Sequence, residues 1–119
     1  MKTAPRVRIR IILPAGGAIG PGKADLLAGI QEHGSIAAAG RAMAMSYQRA
    51  WSLIDQLNRT FREPVVTVFR GGAKRGGAQL TATGARVLDS YRAIERVTAS
   101  QGRSELKELA RLEKSQTPP

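Results

Sequence analysis

Apolar residues recur along this chain with two different periods, and the points where the period changes mark its elements. From residue 6 to 13 the positions alternate, with Arg6, Arg8 and Arg10 on one side and Val7, Ile9 and Ile11 on the other, which predicts a half-buried strand. Residues 14–22 combine Pro14 and Pro21 with Gly16, Gly17, Gly20 and Gly22, a loop composition. From residue 23 to 33, Leu26, Leu27 and Ile30 follow helical spacing, and Gly34 ends that first helix. Ser35 is an N-cap for a short second helix over residues 36–42. Only Met43, Ala44 and Met45 precede Ser46, the N-cap of a third helix that runs to about Arg62 before Glu63-Pro64 stops it.

The pattern then switches. Val65-Val66-Thr67-Val68-Phe69 is β-branched and aromatic, residues 71–77 make a glycine-rich turn carrying Lys74 and Arg75, and residues 78–80 return as a partner strand. Thr81 or Thr83 caps a long fourth helix, on which Val87, Leu88, Tyr91, Ile94 and Val97 or Thr98 form an apolar stripe. Gly102 weakens this helix and Ser104 restarts it; Leu106, Leu109 and Leu112 make a last stripe too short to hold unless it packs on something. Residues 115–119 are expected to be disordered. The fold class this predicts is mainly α with a small β-wing, a domain over residues 1–99 and a helical extension with a tail over residues 100–119.

The third helix carries the most information. Ala50, Ile54, Leu57 and Phe61 share one face, while Gln48, Ser52, Asp55 and Arg59 lie opposite, with Arg49 and Gln56 at the edge. A short helix, a tight turn and a longer helix with polar N-terminal residues is the layout that lowers a recognition helix into the major groove of DNA. The small residues Ala37, Ala38, Ala39 and Gly40 let two such helices cross closely. Ser46, Tyr47, Gln48 and Arg49 would meet base edges first, and their chemistry suits that role, since Gln pairs with adenine and Arg with guanine. Any amphipathic helix has a polar outer face, so the reading draws its weight from the helix before it.

Charge points the same way. Nineteen Lys and Arg against nine Asp and Glu give +10, a balance that attracts polyanions. No acid precedes Asp25, and residues 35–80 set seven bases against Asp55 and Glu63, so the excess sits in the N-terminal arm and the middle of the chain. With 119 residues the chain has room for one domain, and with 4% aromatic residues its core must be largely aliphatic. The absence of cysteine excludes disulfides, thiolate metal sites and thiol catalysis. No apolar run approaches the length of a membrane span or a signal-peptide core, so a soluble cytoplasmic protein is expected.

Catalytic chemistry has little to draw on. His33 is the sole histidine and falls at a helix end, where the dipole favours it. Trp51 flanks the core face of the third helix and reads as packing before it reads as a stacking platform. Residues 17–23 fit the spacing GxxxxGK of a phosphate-binding loop, yet Ala24 follows Lys23 where a hydroxyl is needed for magnesium, and the strand at 65–69 ends in Arg70 and not in Asp. No enzyme, cofactor or metal site is expected.

The run from Gly34 to Trp51, with Met45-Ser46-Tyr47 and Ala50-Trp51, resembles the winged helix-turn-helix of LysR-type regulators. It is closer still to the N-terminal domain of the ModE family of molybdate-responsive repressors. Ala18-Ile19-Gly20-Pro21-Gly22-Lys23 and the wing segment 71–78 followed by Leu80-Thr81 fit the same family, so the resemblance covers roughly residues 7–97. It implies a homodimeric unit binding palindromic duplex DNA. The recognition helix would contact DNA through Ser46, Tyr47, Gln48, Arg49, Ser52, Gln56 and Arg59, with Ser46 and Arg59 on phosphates, and phosphates would also be held by Ser35, Arg41, Arg70, Lys74 and Arg75. Dimerisation would run through Val87, Leu88, Tyr91, Ile94 and Thr98 of the fourth helix. ModE-type repressors carry a molybdate-binding region after this domain, and the sequence stops about where it would begin, so this chain is not expected to bind molybdate. A winged-helix module that binds another protein, with its basic charge serving nonspecific contact, is the alternative.

Overall fold

The structure, a computed structural model, describes residues 4–70 and 76–114. Three helices form its centre: α1 (Pro21–His33), α2 (Ile36–Ala42) and α3 (Tyr47–Thr60). Each start has a local chemical cause. Pro21 occupies the first turn of α1, where its missing N–H costs nothing, so the helix begins two residues before Lys23. Ser35 accepts a hydrogen bond from Ala38 N, and Ser46 one from Arg49 N, each at 3.0 Å. Leu26, Leu27 and Ile30 of α1 pack with Ile36 and Ala39 of α2 and with Ala50, Ile54 and Leu57 of α3. Helix α3 stops at Thr60, short of Arg62, because Phe61 turns extended and lays its ring against the core.

The turn between α2 and α3 is tight for two reasons. Gly40 is buried where a Cβ would lie 3.2 Å from that of Ala50, so the helices cross at these two positions. Its carbonyl accepts from both Met43 N and Met45 N, and to make that turn Ala44 adopts a left-handed conformation with φ of 54°. For a residue with a Cβ this conformation costs roughly 1–2 kcal/mol, more than the ~0.5–1 kcal/mol of chain entropy that glycine would add to the unfolded state. Ala44→Gly is therefore expected to raise the urea midpoint; a lower midpoint would mean that the turn stores no strain.

The wing is a hairpin of β3 (Val66–Phe69) and β4 (Gly77–Leu80), antiparallel with Val66 opposite Leu80 and Phe69 opposite Gly77. It is pegged at both strands. Ala78 N donates to Gly34 O at the end of α1, and the Asn58 carboxamide of α3 accepts from Val65 N and Val66 N while donating to Val66 O. Helix α4 (Ala82–Gln101) starts at Thr81, whose hydroxyl accepts from Gly84 N and donates to Pro64 O. Here α4 touches the start of the wing so closely that a Cβ on Gly84 would fall 2.0 Å from Val65 O. Gly102 interrupts the helix, and α5 (Arg103–Leu112) follows with no buried residue.

The N-terminal arm departs from the sequence expectation. Residues 6–10 keep the alternation in exposure, arginines outward and Val7 and Ile9 half-buried, but the ladder is confined to β1 (Ile11–Ile12) paired with β2 (Ala18–Ile19). Strand β2 falls inside the segment whose composition predicts loop. The Leu13–Gly17 turn closes on itself through Leu13 N to Gly17 O and Gly16 N to Leu13 O, and the short return it permits pairs only two residues. Upstream, the Ile9 carbonyl is taken by the Tyr91 hydroxyl of α4 at 2.5 Å, a side chain in place of a partner strand. Asp25 of α1 completes the tie by pairing with Arg92 of α4 and, at 4.0 Å, with Arg8 of the arm. The expected disorder of residues 115–119 lies outside the described residues.

Candidate nucleic-acid interface

Helix α3 buries Ala50, Ile54 and Leu57, as its sequence predicts, and Leu53 with them, and exposes Gln48, Arg49, Ser52, Asp55, Gln56 and Arg59; Phe61, expected on the same face, is half-buried just beyond the helix. The capping hydroxyl of Ser46 fixes the backbone of the first turn while leaving the Gln48 and Arg49 side chains free to reach outward. Tyr47 is 55% exposed and meets Trp51 edge-on, with ring centroids 6.3 Å apart. Trp51 is half-buried against the core, as its position between Ala50 and Ile54 implies.

Two concave regions flank the exposed face. The first, about 410 Å³, lies between the first turn of α3 and the loop end of the wing strands, and it gathers Ser35, Tyr47, Trp51, Val68, Phe69 and Arg70. Three residues singled out separately from the sequence, Ser35, Tyr47 and Arg70, thus line one cleft. Arg41 is exposed at the end of α2, while Lys74 and Arg75 lie outside the described residues. The second region, about 480 Å³, sits at the other end of α3 and is lined by Arg10, Lys23, Gln56, Arg59, Thr60 and the backbone of residues 15–18.

Side chains on the outer face differ in how free they are. Gln56 makes a long 3.5 Å contact with Ser52 one turn back, which a base edge can displace. Arg59 is engaged by Asp55 one turn away, so a nucleic acid must compete with that carboxylate. Arg10, Lys23 and Arg49 differ again: among the described residues no carboxylate comes within 4.0 Å of their nitrogens. The Lys23 amine donates to Ala18 O at 3.1 Å, closing the GxxxxGK segment on itself. Its pKa is lowered below the usual 10.5 by burial first, then by the charges of Arg10 and Arg49.

Of the stripe assigned to a partner subunit, Leu88 and Tyr91 are buried in the chain's own core, Val87 is half-buried, and Ile94 and Thr98 are exposed. Val97 at 60% and, on α5, Leu109 at 64% and Leu112 at 70% are further exposed apolar side chains. The sequence reading passed over Asn58, the clamp between α3 and the wing, and gave Arg10 and Lys23 no part in the interface. Asn58 carries no local signal, since its role depends on where residues 65 and 66 return. Among the described residues no cluster of three or more His, Asp or Glu is placed to hold a metal, and no helix is long and apolar enough to cross a membrane.

A short helix and a longer one crossing through a tight turn, followed by an antiparallel hairpin, define a winged helix-turn-helix domain. No protein-family model matches the chain. It is 39% identical over 95 residues to the molybdenum transport protein ModE of Azotobacter vinelandii, an alignment that takes in 78% of this chain and 35% of that protein. The molybdenum-pterin-binding protein MopB of Rhodobacter capsulatus is 41% identical over 80 residues, 67% of this chain and 30% of its own length. The DNA-binding transcriptional dual regulator ModE of Escherichia coli K12 is 34% identical over 71 residues, 60% of this chain and 27% of its own. The chain is homologous to the N-terminal part of ModE regulators and spans about a third of the length of these relatives.

Proposed function

We propose that this domain binds palindromic duplex DNA as a symmetric homodimer and acts as a cytoplasmic transcriptional regulator, not as an enzyme. The observation that carries the reading is the outer face of α3, where Gln48, Arg49, Ser52 and Gln56 stand exposed around a basic rim with few acids. In the major groove Tyr47, Gln48, Arg49, Ser52 and Gln56 read bases. Ser35, Ser46, Arg41, Arg59, Arg70, Lys74 and Arg75 hold phosphates and set register. One relative is itself described as a DNA-binding transcriptional regulator. Molybdenum and molybdenum-pterin appear in the names of relatives about three times longer than the matched region, and molybdate binding forms no part of the proposed function.

The dimer would form on the apolar surface of α4 and α5, with Val87, Ile94, Val97 and Thr98 meeting their counterparts and Leu88 and Tyr91 supporting them from within. A two-fold axis there sets two recognition helices about one helical turn of DNA apart. The test is selection of bound duplexes from a randomised pool, read by sequencing at low and moderate salt. Enrichment of a palindrome is expected. Arg49→Ala should then relax the choice at particular positions, with about 1–3 kcal/mol less discrimination there. Salt-sensitive binding with no enriched sequence would reject base reading by α3 and favour the protein-interaction module.

A further inference from the structure

In the pocket at the far end of α3, Arg10, Lys23 and the turn at residues 15–18 have no part in the contacts proposed so far. Arg10 and Lys23 line it, and the charge of Arg49 also acts on Lys23; among the described residues no carboxylate comes within 4.0 Å of their nitrogens, whereas Arg59 on the same wall is paired with Asp55. Like charges gathered in this way repel one another, and part-burial of Lys23 deprives it of water that would offset the repulsion. An anion placed among them removes both penalties at once.

Position identifies which anion. Gln56 and Arg59 line the pocket and also belong to the outer face of α3, so the pocket is continuous with the surface that meets DNA. The cleft holding Ser35, Tyr47 and Arg70 lies at the start of the same helix. From Tyr47 to Gln56 a helix rises about 13 Å, close to the ~12 Å width of the major groove. A helix lying in that groove with a cationic recess at each end can touch the backbone on both of its walls.

We propose that Arg10 and Lys23, beside the turn at residues 15–18, hold a phosphodiester of the duplex, a backbone contact beyond those of the recognition helix and the wing. This rests on the DNA-binding reading above. Arg10 and Lys23 neutralise the phosphate, and the contact adds affinity and fixes the helix along the groove without reading sequence.

The test compares the wild-type chain with Arg10→Gln, Lys23→Gln and the double variant, each checked for folding by circular dichroism. Arg10 is exposed, which makes its single variant safe for the fold. Binding of a selected duplex and of a random duplex is titrated across a salt series. The double variant is expected to reduce the slope of log affinity against log salt by about 0.9, the yield of one phosphate contact. It should lose about tenfold in affinity on both duplexes alike, as for one charge-assisted hydrogen bond. Arg103→Gln on α5 serves as the control and should leave the slope unchanged. A folded double variant with the wild-type slope overturns the proposal. So does inorganic phosphate that raises the melting temperature of the wild-type chain but not of the double variant while the slopes agree, since the pocket is then a free-oxyanion site. A wild-type chain that binds no duplex overturns the DNA reading itself, and this inference with it.

Discussion

Gly84→Ala is expected to lower the stability of the domain by about 3 kcal/mol, which for a chain of this size moves the melting temperature by on the order of 10 °C. A Cβ at this position would stand 2.0 Å from the Val65 carbonyl oxygen, and that oxygen is main chain, with no rotamer to swing away. Either α4 lifts off the wing or Val65 moves, and Val65 is fully buried. Movement also strains the bond from Thr81 N to Val65 O and the one from the Thr81 hydroxyl to Pro64 O, each contributing about 1 kcal/mol. Thermal unfolding followed by circular dichroism measures the effect. An unchanged midpoint would mean that the junction of wing and α4 gives way far more readily than its packing implies.

Asn58→Ala should have the second-largest effect, about 2–3 kcal/mol, because one carboxamide serves three backbone groups: Val65 N at 2.8 Å, Val66 N at 3.2 Å and Val66 O at 3.3 Å. Alanine leaves part-buried donors without that acceptor. The loss extends beyond stability, since Asn58 joins the recognition helix to the wing, and DNA affinity should fall even at temperatures where the variant remains folded. Asn58→Asp separates the two roles of the side chain. A carboxylate still accepts from Val65 N and Val66 N but cannot donate to Val66 O, so its cost should lie between those of wild type and alanine. If aspartate is as damaging as alanine, the donor to Val66 O is the part that matters.

What the sequence revealed and what it concealed follow from the range of the forces involved. Ser35, Ser46 and Thr81 were legible as caps because each bonds to a backbone N–H three residues on. The two faces of α3 were legible because its own periodicity sorts them. The division of the α4 stripe was not: Leu88 and Tyr91 go inward and Ile94 outward because the arm covers only part of the helix, and nothing local to α4 says where the arm lies. The pairing of Ile11 with Ile19 was hidden for a similar reason, two residues of strand being too few to outweigh the glycines and prolines around them. Lys23 appeared in the sequence as part of a phosphate-loop spacing. Its proximity to Arg10 and Arg49 arises only when the arm, α1 and α3 are assembled.

The bond from the Tyr91 hydroxyl to the Ile9 carbonyl spans 82 residues, and it orders the folding of the chain in time. Closing a loop of that length costs more entropy than the contacts among α1, α2 and α3, which are near neighbours in sequence. The Tyr91 hydroxyl that holds the Ile9 carbonyl exists only once α4 has formed, so this bond closes after the contacts among α1, α2 and α3. The basic stretch from Arg6 to Arg10 is therefore fixed at Ile9 only when α4 is in place, although Arg8 can pair with Asp25 of α1 before then.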